Sequence, residues 1–295
     1  MNLKKYCKYL LLLILGIWNM NAVAQLNPMA AQFYLNQYLG NPAYAGIDSG
    51  LNINLGFRSQ WLSLPGGPKS QAITGEYRFS KVGLGINLYN EKSGLIGQTR
   101  VVSSYAYHVA LNDNNHYLHL GVSLGVLAER INYDEVKGTQ GDANISQLNQ
   151  RDSYVDGDFG AAYTTSRLSI QGSLMNVKNL FTNDHRKAAE QATFYTAVAY
   201  RFDLGEYAPQ LKLEPKIGYR RVNGYASTWN AGTSVATVDN KLFAFAMYQS
   251  TRNTTFGFGA KYQVLTIQGM YTTEPAPLRG TLGGSFELNL KISIF

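Results

Sequence analysis

The chain has almost no cysteine: its single one among 295 residues is Cys7. Cys7 stands in an N-terminal stretch where Lys4, Lys5 and Lys8 flank the start of an apolar run over residues 9–17, and Ala22-Val23-Ala24 follows. This order is typical of a secretory signal peptide, which we predict to occupy residues 1–24 with cleavage after Ala24. The mature chain then holds no cysteine, which excludes disulfide-stapled modules and thiolate metal sites.

Long apolar runs are missing too. After Ala24 no stretch of about 18 apolar residues occurs, so the sequence offers no transmembrane helix. Strong charge is also absent, because the formal net charge of +7 loses three lysines with the predicted signal peptide. Nucleic acid is therefore not expected as a partner. The chain instead has 21 tyrosines and 29 glycines, a composition that suits strands and turns.

Apolar and polar residues alternate along much of the chain. Between residues 51 and 58, for example, Leu55 and Phe57 alternate with Asn54 and Arg58, and a two-residue period places the two sets on opposite faces. Strands with one apolar face can cross a membrane only in a closed barrel, where every backbone donor is paired. We count 14 candidate strands, at residues 51–58, 73–79, 82–89, 101–111, 118–126, 159–163, 168–174, 194–202, 211–219, 225–235, 242–248, 254–262, 265–271 and 283–295.

The predicted fold is therefore all-β: a transmembrane antiparallel outer-membrane β-barrel of about 14 strands over residues 51–295. Residues 25–50 precede it as a periplasmic or plug segment. Short turns face the periplasm in such barrels and longer loops face outward. With both ends periplasmic, the outer loops fall at residues 59–69, 90–98, 129–154, 176–191, 221–224, 250–253 and 273–281. A soluble β-sandwich is the alternative, but it leaves unexplained the last strand, which ends in Phe295 and looks like the strand recognised during barrel assembly.

Six short motifs form an ordered series in the first third of the chain. They are Gln32-Phe33-Tyr34, Asn41-Pro42-Ala43-Tyr44-Ala45-Gly46, Arg58-Ser59-Gln60-Trp61, Gly67-Pro68-Lys69-Ser70-Gln71, Val82-Gly83-Leu84-Gly85 and Asn90-Glu91-Lys92-Ser93-Gly94. In this order and spacing the chain resembles the PorP/SprF family of outer-membrane barrels, which belong to the type IX secretion and gliding-motility apparatus of Bacteroidota. The resemblance implies a non-enzymatic protein without cofactors, located in the outer membrane.

The same resemblance implies partners. They are outer-membrane lipid and a large secreted surface adhesin, or its C-terminal region, which the protein helps to export, anchor or display. Subunits of the periplasmic secretion ring are a second implied partner, with the barrel as a link to the motor. The residues themselves leave a third function open, which is a diffusion porin or a transporter of hydrophobic solutes.

One pair of histidines, His108 and His119, is a weak candidate for a metal site. A turn at residues 112–115 places position 111 opposite 116, so that His108 faces His119 across two strands in the lumen. Two ligands do not make a site, and Ser104 opposite Ser123 supplies no strong third one. A hydrogen-bonded lumen pair is therefore favoured over a metal centre, and no catalytic residue is predicted.

Charged residues suggest two further features. Asp152, Asp156 and Asp158 invite a calcium site but lack the rest of a binding loop, so solvated loop acids are favoured. Inward positions carry more cations than acids, which predicts a basic lumen, either anion-selective or filled by ion pairs. The cations are Arg58, Arg78, Arg201, Lys212, Lys216, Arg220, Lys261 and Lys291, and the acids are Glu76, Asp158, Glu214 and Glu287.

Partner contacts are expected on the outer loops, because a rigid barrel recognises partners with what projects from it. Trp61 is the principal candidate, since it stands beside a Pro-Gly-Gly-Pro turn, where it loses little freedom on binding. The alternative is that Trp61 belongs to the outer aromatic girdle. The other partner-binding candidates are Pro65, Pro68, Tyr133 and Tyr154.

Overall fold

The computed structural model describes residues 36–112, 115–131, 153–181, 191–204, 211–237, 239, 241–275 and 280–294. The alternating segments form antiparallel strands: β1 (Gly50–Ser59), β2 (Lys69–Phe79), β3 (Val82–Ser93), β4 (Ile96–Asn112), β5 (His116–Ile131), β6 (Tyr154–Thr164), β7 (Leu168–Met175), β8 (Thr193–Tyr200), β9 (Phe202–Asp203), β10 (Leu211–Val222), β11 (Thr228–Thr237), β12 (Leu242–Gln249), β13 (Asn253–Tyr262), β14 (Leu265–Thr272) and β15 (Ser285–Ile294). Short 3₁₀ turns lie at Gln37–Leu39, Pro42–Tyr44 and Val177–Leu180. No helix in these ranges has the length and apolar character needed to cross a membrane.

The sheet closes on itself. Neighbouring strands pair in chain order, and β1 pairs with both β2 and β15. The two-residue β9 only extends the edge of β10, so 14 strands form the closed ring. The predicted antiparallel barrel is confirmed. The predicted signal peptide and Phe295 lie outside the described residues.

The two faces of the strands are chemically distinct, as the two-residue period requires. Outward residues such as Leu55, Leu84 and Ile217 are apolar and exposed, whereas inward residues such as Asn52 and Thr74 are polar and buried. Exposed apolar residues on every side suit a surrounding hydrocarbon phase, and buried polar residues suit a lumen whose groups bond to one another. We take the end with the short turns and the start of β1 as the periplasmic end.

The predicted strand at residues 194–202 is broken at Arg201. Lys216 pairs with Ala199 and Leu213 pairs with Phe202, so β8 and β9 keep one register along β10. Pro215 lies between these two pairs and has no N–H to donate. The short β9 is therefore a continuation of β8 beyond an interruption opposite proline.

Two local predictions were wrong. The expected outer loop at residues 90–98 is almost entirely strand, since β3 runs to Ser93 and β4 begins at Ile96. The alternation of apolar residues stops where these strands extend beyond the apolar outer surface of the barrel. The strands continue to pair there, because backbone hydrogen bonds do not require apolar side chains. The pairing of position 111 with 116 is also shifted, because an irregularity between Ala110 and Asn112 places Asn112 opposite His116.

Inward charges form pairs across the strands. Arg58 on β1 and Glu287 on β15 form a salt bridge of 3.3 Å, and both side chains are nearly inaccessible to solvent. Arg100 on β4 reaches across β5 to Asp158 on β6 at 2.7 Å. Two of the predicted inward cations, Lys216 and Arg220, are also buried on β10. At least some of the charged side chains in the lumen therefore form ion pairs with one another.

Candidate functional site

Residues 36–48, which we call the lumen segment, lie inside the barrel ahead of β1. The 3₁₀ turns at Gln37–Leu39 and Pro42–Tyr44 shape the segment. Asn41 caps the second turn, because its side-chain oxygen accepts a hydrogen bond from the N–H of Ala43 at 3.0 Å. Pro42 fixes φ at the first position of that turn. The sequence around Asn41 therefore folds locally into a compact, self-capped element.

Polar side chains of the lumen segment bond to inward-facing groups on the barrel wall. The bonds join Asn36 to Thr74 at 2.9 Å, Tyr38 to Ser104 at 2.9 Å, Asn41 to Gln171 at 3.2 Å, and Tyr44 to Ser169 at 2.9 Å. These partners lie on β2, β4 and β7, so the segment contacts widely separated parts of the wall. Such cross-lumen bonds fix its position, since buried polar groups are costly to leave unpaired.

Glycines on the wall allow the lumen segment to approach closely. A Cβ atom at Gly83 would collide with the carbonyl oxygen of Ala45, and one at Gly121 would collide with the backbone at Pro42. A Cβ at Gly160 would collide with the side chain of Asn41. Any larger residue at these three positions on β3, β5 and β6 requires the segment or the strand to move.

Charged residues of β2 hold the end of the lumen segment that leads into β1. The N–H of Gly46 donates to Glu76 at 3.2 Å. Arg78 donates to the carbonyl oxygens of Gly46 and Ile47 at 3.3 and 3.4 Å. Gly46 itself has φ +66°, and a Cβ there would lie 2.8 Å from the Cα of Gly83. Both the backbone conformation and the close contact therefore call for glycine at this position.

The predicted pairing of His108 with His119 is confirmed. Their Nδ1 atoms lie 2.7 Å apart, and the other ring nitrogens contact the carbonyl oxygen of Ala45 at 3.0 Å and the hydroxyl of Thr164 at 2.8 Å. All four ring nitrogens thus have polar partners, and His108 contacts the lumen segment directly. The described residues contain no group of three or more His, Cys, Asp or Glu arranged to hold a metal ion.

The two tyrosines of the lumen segment are held as neutral hydrogen-bonding groups. Burial raises the pKa of Tyr44 to about 12 and raises the pKa of Tyr38 as well. Both hydroxyls therefore keep their protons near neutral pH.

A cavity of about 290 Å³ lies between the lumen segment and the wall at the periplasmic end. Its lining includes Glu76, Glu214, Arg201 and Lys291, together with the turn between β6 and β7. Arg201 pairs with Glu214 at 3.1 Å, and Lys291 pairs with Asp48 at 2.6 Å. The lumen is therefore polar and charged at this end, next to the chain that enters β1.

Comparison with known proteins identifies the family. The family model for the type IX secretion system membrane protein PorP/SprF matches residues 22–292. The chain belongs to the PorP/SprF family. No curated protein matches it.

Solved structures resemble this PorP/SprF protein in fold. The Acinetobacter baumannii outer membrane protein Omp33 is 7% identical with a TM-score of 0.51, over 84% of this chain and 100% of that one. The CymD monoaromatic hydrocarbon channel is 13% identical with a TM-score of 0.49, over 93% and 94% of the two chains. The Pseudomonas putida toluene transporter TodX is 10% identical with a TM-score of 0.49, over 92% and 94%. The likeness to Omp33 supports the outer-membrane barrel fold and nothing beyond the fold.

The outer loop at residues 60–68 of this PorP/SprF protein, which we call the outer ledge, is held by backbone bonds to two other loops. The N–H groups of Leu62 and Ser63 donate to the carbonyl oxygens of Gly284 and Leu282 at 3.2 and 3.0 Å. The N–H of Gly94 donates to the carbonyl oxygen of Gly66 at 3.1 Å. The outer ledge is therefore bonded to its neighbours on both sides.

The sequence-predicted partner contacts differ in accessibility. Trp61 is half-buried and has φ +53°, a conformation that bulky residues rarely adopt. Pro65 is exposed, but Pro68 is fully buried and accepts a bond from Gln60, so Pro68 supports the loop and cannot touch a partner directly. Tyr154 is half-buried, with the ammonium group of Lys178 4.3 Å from its ring centre. Tyr133 lies outside the described residues.

Sequence reasoning missed Leu62 and Leu64, which are exposed apolar residues on the outer ledge. Their signal in the sequence was the apolar character of a loop rich in proline and glycine. It also missed the role of Asn41, although the turn around that residue was recognised.

Two of the three aspartates considered above as loop acids lie in the described residues, and both have structural roles. Asp156 accepts a bond from the N–H of Lys178 at 2.8 Å at the start of the 3₁₀ turn Val177–Leu180. Asp158 accepts from Arg100 and from the N–H of Asn176. The favoured interpretation as solvated loop acids was wrong for these two, because both are buried and bonded. Asp152 lies outside the described residues.

Proposed function

We propose that this PorP/SprF protein assists the export and surface display of a large secreted adhesin, binding the adhesin or its C-terminal region on the outer face of the barrel without catalysing a reaction. The observation that carries the proposal is the lumen segment. Residues 36–48 lie inside the barrel and bond to β2, β4 and β7, so they take up interior space that a passenger would need. Recognition then falls to groups that project from the barrel.

The outer ledge is the contact surface in this proposal. Leu62 and Leu64 are exposed there, next to the half-buried Trp61. The backbone bonds to Gly94 and Gly284 order the ledge before any partner arrives, which reduces the entropy lost on binding. Large apolar and aromatic side chains on an ordered surface are the groups that dominate interface energies.

Replacing the projecting groups tests this contact. In the native host, Trp61→Ala and the double change Leu62→Ser with Leu64→Ser should each reduce adhesin display about tenfold or more while leaving a folded, heat-modifiable barrel at normal abundance. Display is measured with antibodies on intact cells. Phe181→Ser, at an exposed apolar residue beyond β7, is the matched control and should leave display unchanged. Normal display in all variants would contradict capture by the outer ledge.

A second candidate is a link between the outer membrane and the periplasmic secretion ring. The polar cavity beside the lumen segment favours it, because charged groups of Arg201 and Glu214 face that end of the barrel. Affinity purification from native membranes distinguishes the two: co-purification of a surface adhesin supports display, and co-purification of ring subunits alone supports the link.

The diffusion porin is the weaker alternative, since the lumen segment lies where solutes would pass. Planar-bilayer recording of the purified barrel addresses it directly. We expect no steady ion conductance, whereas step-like open-channel currents from the unmodified protein would support a porin.

A further inference from the structure

The outward surface of β2–β5 changes from apolar to cationic toward its outer end. Three successive rows cross these strands by direct pairing, each row two residues beyond the last. The rows are Ile73, Leu88, Val101 and Val126; then Gln71, Asn90, Thr99 and Ala128; then Lys69, Lys92, Gly97 and Arg130. Each step is about 6.6–6.8 Å along the strand. The cations therefore lie just beyond the apolar surface, with one polar row between.

The cations in the last row lie close together. Lys69 and Lys92 are direct cross-strand partners, so their Cβ atoms are about 4.5–5.5 Å apart. Arg130 lies two strands from Lys92, about 10 Å away, and Gly97 between them carries no side chain. All three cations are exposed. Two exposed ammonium groups at this spacing are close enough to donate to one phosphate group.

No described outward residue of β2–β5 in the polar or cationic row is acidic. On one side the cationic row ends at Lys69. The residues at the same level on β1, β15 and β14 are the uncharged Ser59, Phe286 and Tyr271. The positive surface is thus confined to one sector of the barrel and is not a belt around it. A confined group of cations next to an apolar surface matches an amphipathic anion.

We propose that Lys69, Lys92 and Arg130 form a binding site for the phosphate-bearing headgroup of an outer-leaflet glycolipid, whose acyl chains lie along Ile73 and Leu88. Lysine and arginine at a membrane surface favour anionic headgroups, and charge-assisted bonds to phosphate are among the stronger hydrogen bonds in proteins. The polar row contributes uncharged groups between the two regions, including Asn90, whose amide donates to Thr99 at 2.8 Å. This site is independent of adhesin display.

Binding of purified glycolipid to the folded barrel in detergent tests the site. The probes are lipopolysaccharide from the native outer membrane, the same material after dephosphorylation, and inorganic phosphate. The variants are Lys69→Gln, Lys92→Gln, Arg130→Gln and their combination. Arg221→Gln is the matched control, because Arg221 is an exposed cation on β10. Native mass spectrometry measures bound lipid, and heat-modifiable migration verifies that each variant is folded.

We expect binding to weaken about fivefold for each cation removed and on the order of a hundredfold for the triple variant. Dephosphorylated glycolipid should bind the unmodified protein as weakly as intact glycolipid binds the triple variant, and Arg221→Gln should bind normally. Should the triple variant not fold, the three single variants carry the test. Unchanged binding in the variants, equal binding of dephosphorylated lipid, full competition by inorganic phosphate at equal concentration, or equal loss in Arg221→Gln would each overturn the proposal.

Discussion

Single atoms decide whether the lumen segment fits inside the barrel. Gly83 and Gly75 lie on neighbouring strands, yet they face different surroundings. A Cβ at Gly83 collides with Ala45, whereas a Cβ at Gly75 lies 3.5 Å from a methyl group of Ile86, an ordinary contact. Adding a methyl group by a change of glycine to alanine therefore has different consequences at these two positions.

Gly83→Ala should displace the lumen segment. Overpacking of this kind costs about 1–3 kcal/mol, and moving the segment relieves it without unfolding the strands. We expect measurable ion conductance in planar bilayers from Gly83→Ala and none from Gly75→Ala. A folded Gly83→Ala barrel that stays closed would show that the segment tolerates the added atom.

The ion pair between Arg100 and Asp158 allows a second prediction at this scale. Asp158→Ala leaves a largely buried guanidinium without its carboxylate, so the free energy of unfolding should fall by about 3 kcal/mol. Urea titration of the folded barrel in lipid vesicles measures it. The double variant Arg100→Met with Asp158→Leu should lose less than Asp158→Ala alone. A greater loss in the double variant would mean that the ion pair stabilises the barrel more than the two apolar side chains that replace it.

At the scale of strands, the two faces of β10 and β11 should respond differently to the same side chain. Ile217 on β10 faces outward and is 63% exposed, whereas Ser234 on β11 lies opposite Glu214 on the lumen side. Ile217→Arg should destabilise the barrel by about 2–4 kcal/mol, because it places a charge against lipid near the midplane. Ser234→Arg should cost little, since Glu214 is beside it. Equal losses of folded barrel in the two variants would mean that the faces are misassigned.

The strands could be predicted because period-two alternation is a local property of the sequence. The register of His108 with His119 was predicted correctly although the turn pairing was not, because the irregularity between Ala110 and Asn112 offsets the shifted pairing of Asn112 with His116. The end of β3 could not be located, because polar residues such as Lys92 continue the ladder after the apolar pattern stops. The position of Asn41 was beyond reach for a different reason: its partner Gln171 is 130 residues away, and the lumen that brings them together exists only in the closed barrel.

At the scale of the whole molecule, the orientation in the membrane is open to direct measurement. We expect Pro65→Cys on the outer ledge to react with a membrane-impermeant maleimide on intact cells, and Lys81→Cys in the turn between β2 and β3 to react only after the outer membrane is opened. Both positions are exposed, and the chain's single other cysteine, Cys7, lies in the predicted signal peptide. Reversed labelling would invert the assignment of the two ends.

The salt bridge between Arg58 and Glu287 has a consequence for biogenesis. It joins the first strand of the barrel to the last, along a seam whose paired residues, such as Leu51 and Ile294, lie at opposite ends of the described chain. Contacts with such large sequence separation form slowly. The two side chains meet only when β15 pairs with β1. A sheet that stops short of the final strand therefore lacks this ion pair, and formation of the contact reports that the ring has closed.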